Sequence, residues 1–172
     1  MGRLDDLSAG LQRFADDPGA VLRDVMRSDP LVERDMVALQ RKQLFAGLAS
    51  SGDHIRPTMD EDPYFGGNRA AWFSYASNKR KRFSREEGDA RRPMNVPNLI
   101  FSTGLFHSGF YVDFRTDEVQ MKNDTLVPDS HGVMHDVYAK YGAETFGLTD
   151  ENWESVLAHV VPKMKDAILE ML

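Results

Sequence analysis

The chain has 172 residues, and 41% of them are hydrophobic, which is enough for the core of one domain. Its formal net charge of −6 argues against a protein whose whole surface binds nucleic acid. The absence of cysteine excludes disulfides, zinc–thiolate sites and a cysteine nucleophile. No apolar stretch predicts a signal peptide or a membrane span, so we expect no membrane partner.

Residues 1–47 predict helices. Asp17-Pro18 and Asp29-Pro30 each combine an N-capping side chain with a proline suited to the first helical position. We therefore expect a break at Ser28-Asp29 and a helix end near Gly47. Apolar residues recur before, between and after these signals at helical spacings, as on one face of a helix: Leu4, Leu7, Leu11, Phe14, Val21, Leu22, Val25, Met26, Leu31, Met36, Leu39 and Leu44.

Residues 48–97 are rich in glycine and proline and show little periodicity. Trp72, Phe73 and Tyr75 predict a short helix within them. A segment of this length without regular structure is unusual inside a compact domain. We therefore expect a long extended arm or loop that becomes ordered against neighbouring subunits.

Residues 98–125 predict a β-hairpin region, with strand signals from about Leu99. Phe110, Val112 and Phe114 alternate with polar or amphipathic residues, as in a strand with one wet face. Thr116-Asp117 can supply the turn. The second strand is expected over Val119 to Met121.

Residues 130–172 predict two further helices. Ser130 can cap a short helix over His131 to Tyr141 that Gly142 closes, and Thr149 can cap a final docking helix. Pro162 is expected to kink or divide the final helix. Its apolar stripe comprises Trp153, Val156, Leu157, Val160, Val161, Met164, Ile168 and Leu172. The whole chain therefore predicts a single α+β domain.

Three arrangements could carry chemistry. His131 and His135 have the spacing of two metal ligands on one helix face, but no third ligand is evident. His107, Ser108 and Asp113 lack the strained Gly-x-Ser-x-Gly turn of a nucleophilic serine. The acidic residues 60–62 precede Pro63, which is typical of a solvated turn. We therefore expect neither an enzyme nor a bound cofactor.

A basic run is the sharpest charge feature. Residues 79–92 carry seven basic and three acidic side chains, a local charge of +4, which leaves −10 on the rest of the chain. Such segregation suits an acidic partner surface or a phosphate backbone, although a solvated loop is an equal alternative. The candidate partner-interface residues are Lys79, Arg80, Lys81, Arg82 and Arg85.

Several stretches also occur in a characteristic order. They are Leu99 with Thr103-Gly104, Leu105 and Ser108; Phe110 to Phe114 and Val119 to Met121; Tyr138-Ala139 with Gly142; and Phe146-Gly147-Leu148-Thr149 followed by Asp150-Glu151. This order resembles the tail-completion (virion-morphogenesis) proteins of tailed bacteriophages, which join head and tail at the neck. Three stretches depart from the family pattern: Thr103-Gly104-Leu105 is one residue shorter, Ala143-Glu144-Thr145 replaces an approach containing arginine and proline, and the long arm 58–97 has no clear counterpart.

The resemblance implies a structural virion protein of the neck or tail, assembled in the host cytoplasm. It implies a homo-oligomeric ring, with a hexamer favoured, that contacts other neck and tail proteins and meets DNA only as the transiting genome. One alternative is a dodecameric head–tail adaptor on the portal side. Others are a small metal-dependent hydrolase using His131 and His135, and a DNA-binding accessory protein using residues 79–92.

Overall fold

The computed structural model describes residues 8–9, 12, 14–83, 94–97, 105–124, 126–128 and 131–170, with only the backbone of 79–83 and 105. Its helices are α1 (Pro18–Ser28), α2 (Pro30–Ala46), α3 (Arg69–Phe83), α4 (Leu105–Ser108), α5 (Val137–Tyr141) and α6 (Asp150–Glu170). Its strands are β1 (Tyr111–Phe114), β2 (Val119–Lys122), β3 (Leu126–Pro128) and β4 (Met134–Asp136). The predicted α+β class is confirmed.

The boundary between α1 and α2 follows the predicted caps. The Asp17 carboxylate accepts a hydrogen bond from the Ala20 N–H at 2.8 Å, and the Asp29 carboxylate accepts one from the Leu31 N–H at 3.0 Å. A proline occupies the first turn of each helix. The predicted break at Ser28-Asp29 is therefore confirmed, whereas Leu4, Leu7 and Leu11 lie outside the described residues.

Helix α2 ends at Gly47, as predicted. Gly47 adopts a left-handed conformation with φ of 81°, and its N–H donates to the Gln43 and Leu44 carbonyls. A Cβ atom at this position would lie 2.8 Å from a methyl carbon of Val96. Both the backbone conformation and the close approach of Val96 therefore require glycine here.

Helices α1, α2 and α6 pack together and against the β1–β2 hairpin. Their shared core comprises Met26, Val32, Met36, Val112, Leu148, Val156 and Val160. The predicted stripe on α6 is wrong at Val161, which is 53% exposed. Successive helical residues are rotated by about 100°, so Val161 cannot share the buried face of Val156 and Val160. Pro162 lies within α6 and does not divide it.

The predicted hairpin is confirmed. Strands β1 and β2 are antiparallel, with Val112 opposite Met121 and Phe114 opposite Val119. Thr116-Asp117 forms the turn, closed by a 2.9 Å hydrogen bond from the Arg115 N–H to the Glu118 carbonyl.

Two other local predictions are wrong. The helix expected over His131 to Tyr141 begins only at Val137, because residues 134–136 pair with β3 as an antiparallel strand. Asp136 caps α5 by accepting from the Ala139 N–H, and Ser130 lies outside the described residues. Residues 105–108, expected within the strand region, form the short helix α4. Residues 98–104 lie outside the described residues.

The segment 48–97 is more structured than the sequence predicts. Ile55 is buried in a second core cluster beside Phe106, Phe110 and Val127. A third cluster joins Met59, Phe65 and Ala76, so helix α3 packs on its own segment. The described part of this segment is therefore not an extended arm throughout. The sequence did not predict this packing, because the apolar residues that contact one another are further apart in sequence than a helical or strand period.

A partly buried ion pair links this segment to α5. The Lys140 ammonium donates to the Asp62 carboxylate at 2.6 Å, and Asp62 is only 2% exposed. The same carboxylate group caps the 3-10 turn Pro63–Phe65 through the Tyr64 N–H. This pair and the aromatic core around Phe106 fix the segment on the domain.

Two buried glutamines of α2 bind the segment 145–149. Gln40 donates to the Thr145 carbonyl at 2.8 Å and accepts from the Gly147 N–H at 3.3 Å. Gln43 donates to the Gly147 carbonyl and accepts from the Thr149 N–H, both at 2.9 Å. The segment therefore satisfies its buried backbone groups through side chains of a helix rather than through a strand.

Asp29 connects the start of α2 to α6. Its carboxylate accepts from the Lys163 ammonium and lies 3.1 Å from the His159 Nε2 atom. The hydrogen bond from Lys163 is the main cause that lowers the pKa of Asp29 from 3.8 to about 2. The charged carboxylate therefore joins three structural elements at one point.

The glutamine contacts predict a large loss of stability in Gln43→Leu. This variant leaves the Gly147 carbonyl and the Thr149 N–H without their partner, at roughly 1–3 kcal/mol for each buried group. Chemical denaturation should show a loss of about 2–4 kcal/mol. Lys42→Leu, at the adjacent exposed position, should change stability by less than about 0.5 kcal/mol. Equal effects of the two variants would contradict the assigned role.

Asp29 predicts a specific loss of stability in acid. Because its folded-state pKa is lowered, its charge stabilises the fold above about pH 4, and that contribution disappears as the pH falls towards 2. Asp29→Asn keeps the cap but should lack this part of the pH dependence. Thermal melts between pH 2 and 7 test this, with Asp35→Asn as the exposed control. Parallel pH profiles for the wild type and Asp29→Asn would contradict it.

Candidate assembly interface

The predicted interface residues lie at the end of helix α3. Lys79, Arg80, Lys81 and Arg82 occupy its last turn, where the structure describes the backbone alone, and Arg85 lies outside the described residues. The run therefore begins on a helix and not in a loop. Cations at the C-terminal end of a helix interact favourably with its dipole, which supports this placement.

The first half of α3 holds the run in position. Ala76 is buried against Met59 and Phe65, and the rings of Phe65 and Tyr75 lie 5.4 Å apart. Phe73 on the same helix is 52% exposed. One side of α3 is thus anchored while an aromatic ring remains on its surface.

The β3–β4 ribbon exposes an apolar face that the sequence did not predict. Val127 pairs with His135, and Val127 is buried in the core. The flanking pairs, Leu126 with Asp136 and Pro128 with Met134, therefore lie on the opposite face. Leu126 is 58% exposed and Met134 is 56% exposed.

Two neighbours in sequence are also exposed apolar residues. Val133 precedes β4 and Tyr138 follows it in α5, and both are more than half exposed. We call Leu126 and Met134, which share one face of the ribbon, the ribbon face. Exposed apolar side chains that share one face are typical of a contact site. The sequence did contain a signal for the β3–β4 hairpin. Gly132, which has a φ of 79°, lies in the turn between the apolar residues of β3 and those of β4.

The two histidines do not share a helix face. His131 lies in the turn before β4, and His135 lies within β4 opposite Val127. The spacing of four residues therefore lacks the helical geometry that suggested a metal site. No three His, Asp or Glu side chains in the described ranges are grouped so that they could hold a metal ion.

The other candidate chemical residues have structural contacts. The His107 and Ser108 carbonyls accept hydrogen bonds from the Arg41 guanidinium at 2.6 and 3.1 Å. Asp113 accepts from Arg115 at 2.9 Å on the wet face of β1, and this hydrogen bond lowers the pKa of Asp113. Lys122 also lies 3.6 Å from Asp113. These contacts connect α2 to the end of α4 and stabilise the wet face of the hairpin.

The acidic residues 60–62 also have separate partners. Asp60 accepts from the Thr58 hydroxyl, which is the main cause that lowers its pKa. Glu61 pairs with Arg56, and Asp62 pairs with Lys140. The three carboxylates therefore stabilise a turn and a contact between segments. None of the described helices is long and apolar enough to cross a membrane.

The comparisons with known proteins do not add a relative. No protein-family model, curated protein or solved structure matches this chain. The ribbon face and the basic end of α3 are therefore interpreted from their own residues.

Proposed function

We propose that this chain is a structural subunit of a tailed-phage virion, at the neck or tail end, where it joins tail to head. The observation that carries the proposal is the ribbon face, an apolar surface presented by two paired strands. The order of sequence stretches that resembles tail-completion proteins supplies the biological setting. Assembly, rather than catalysis, is then the activity of the protein.

The proposed assembly is a ring in which each ribbon face packs against the next subunit. A closed ring repeats one heterologous interface by rotation, so the ribbon face meets a different surface of its neighbour. Burial of Leu126 and Met134 would supply apolar contact area that the isolated subunit leaves in water. The favoured ring has six copies around the DNA channel and contacts other neck and tail proteins.

Charge segregation supports the same proposal. Residues 79–92 carry +4 and the rest of the chain −10, so a basic surface of one subunit can face an acidic surface of its neighbour. An overall negative chain also suits the wall of a DNA conduit, because it repels the passing phosphate backbone. DNA is thus a transiting genome and not a ligand.

The ribbon face predicts the effect of Met134→Asp on assembly. A carboxylate at the centre of an apolar contact must lose its water without a partner, so the ring should dissociate. The subunit should remain folded, because Met134 is exposed in the single chain. Mass measurements by light scattering should give a hexamer for the wild type and a smaller species for the variant.

Leu169→Asp is the matched control, because Leu169 is similarly exposed but lies on α6. It should leave the mass unchanged. A wild-type protein that stays monomeric at all concentrations, or an intact ring in Met134→Asp, would contradict the proposed interface. A mass of twelve subunits would favour the portal-side adaptor.

The basic run predicts a second assembly defect. Replacing Lys79, Arg80, Lys81 and Arg82 with serine should preserve the circular dichroism spectrum and block complementation of a phage lacking the protein. The control removes four exposed cations elsewhere, at Arg34, Lys42, Arg69 and Lys165. Full infectivity of the first variant would reject the docking role. If the wild type binds duplex DNA in a salt-dependent manner, and the first variant loses this binding but still assembles, the result would favour a DNA-binding accessory protein instead.

A further inference from the structure

The two edges of the β1–β2 hairpin differ in their hydrogen bonding. On the outer edge of β1, the Phe114 carbonyl accepts from the Arg27 guanidinium at 2.7 Å. The Val112 N–H on the same edge donates to the Glu33 carboxylate at 3.4 Å. Side chains of α1 and α2 thus occupy the backbone groups that another strand would use.

The outer edge of β2 has no such contacts. Arg115 and Glu118 form a hydrogen-bonded pair, and such pairs alternate along an antiparallel ladder. Val119 and Met121 therefore direct their N–H and C=O groups away from β1. Within the described part of the chain, no hydrogen bond reaches these four groups.

A groove of about 390 Å³ lies beside this edge. Residues 119–121 of β2 line one side, and residues 146–148 line the other. Trp153, which is partly exposed, contributes apolar surface beside them. No residue of β1 lines the groove, so the groove lies on the unpaired side of β2.

The surroundings of the groove carry excess negative charge. Glu144 adjoins it, because the Glu144 carbonyl accepts from the N–H of the lining residue Ser50 at 2.8 Å. Asp150 follows the lining residue Leu148 by two positions and is exposed. The nearby cation Lys122 already lies 3.6 Å from Asp113. The Glu144 carboxylate accepts from the Ser51 hydroxyl at 3.3 Å, and no described cation forms an ion pair with Glu144 or Asp150. A basic ligand therefore has two carboxylates to meet.

We propose that this groove binds an extended peptide of a partner protein, which adds a third strand to β2. The peptide carries apolar side chains at alternate positions and lysine or arginine between them. Its backbone pairs with Val119 and Met121, as in other cases of strand addition to a sheet edge. The binding does not require that the protein forms a ring.

The alternation follows from strand geometry. Successive side chains of a strand point to opposite faces, so every second residue of the added strand faces the side chains of Met121 and Trp153. Met121 is a partly exposed and adaptable side chain that can fit different apolar partners. The intervening side chains face solvent, where Glu144 and Asp150 favour cations over anions.

Synthetic peptides test this proposal directly. The probe is a peptide of alternating valine and lysine, measured by calorimetry and by the fluorescence of Trp153 in a Trp72→Phe background. We expect binding that weakens at least about tenfold when glutamate replaces lysine, as complementary charge requires. Methylation of the peptide nitrogens that face β2 should weaken binding similarly, whereas methylation of the opposite nitrogens should not.

Protein variants supply the second arm of the test. Val119→Pro removes an N–H that takes no part in the hairpin ladder, so the hairpin should persist while peptide binding weakens by about tenfold or more. Val119→Thr keeps the N–H and should bind like the wild type. Absence of binding to the valine–lysine peptide, or equal binding by the two peptides methylated on opposite edges, would overturn the proposal. If Val119→Pro fails to fold, the methylated peptides still decide the outcome.

Discussion

The side-chain amides of Gln40 and Gln43 hold the segment 145–149 against helix α2. Each amide both donates to and accepts from the backbone of this segment. Gln43 also accepts from the Asn152 side chain at 2.9 Å, which ties the first turn of α6 to α2. Without these contacts, the buried N–H and C=O groups of the segment would have no partner, and the first turn of α6 would lose its polar contact with α2.

Helix α2 extends this role to other elements. Glu33 accepts from the outer edge of β1, and Arg41 binds two carbonyls at the end of α4. Polar side chains of a single helix thus satisfy the backbone of three different segments. The surfaces beyond their reach are the unpaired edge of β2 and the ribbon face. These are the surfaces on which the proposed contacts with other proteins depend.

The parts of the fold that could be predicted from the sequence have local causes. Asp17-Pro18, Asp29-Pro30 and Gly47 set helix ends through contacts within a few residues, and alternation in residues 110–114 predicts a strand with two different faces. The predicted helix over 131–141 was wrong because residues 134–136 pair with residues 126–128, and that pairing has no signal within the helical window. Similarly, Met59, Phe65 and Ala76 form a cluster that no short periodicity reveals.

The candidate interface was predictable only in part. The basic run is evident as a sequence of cations, whereas its helical setting depends on the packing of Ala76 and Tyr75. The ribbon face depends on which residues of β3 and β4 meet across the ladder. Gln40 and Gln43 could not be identified as core residues, because glutamine at a helical position usually faces solvent.

Residue-resolved amide hydrogen exchange of the isolated subunit tests the central claim most directly. The claim is that α2 saturates one set of backbone groups and leaves the outer edge of β2 open. The account predicts slow exchange for the Gly147 and Thr149 amides, which the two glutamines bind, and fast exchange for the outward amides of Val119 and Met121. The Gln120 amide, which faces β1, should exchange slowly as an internal control. Fast exchange at Thr149, or protection of Val119 and Met121 equal to that of Gln120, would contradict it.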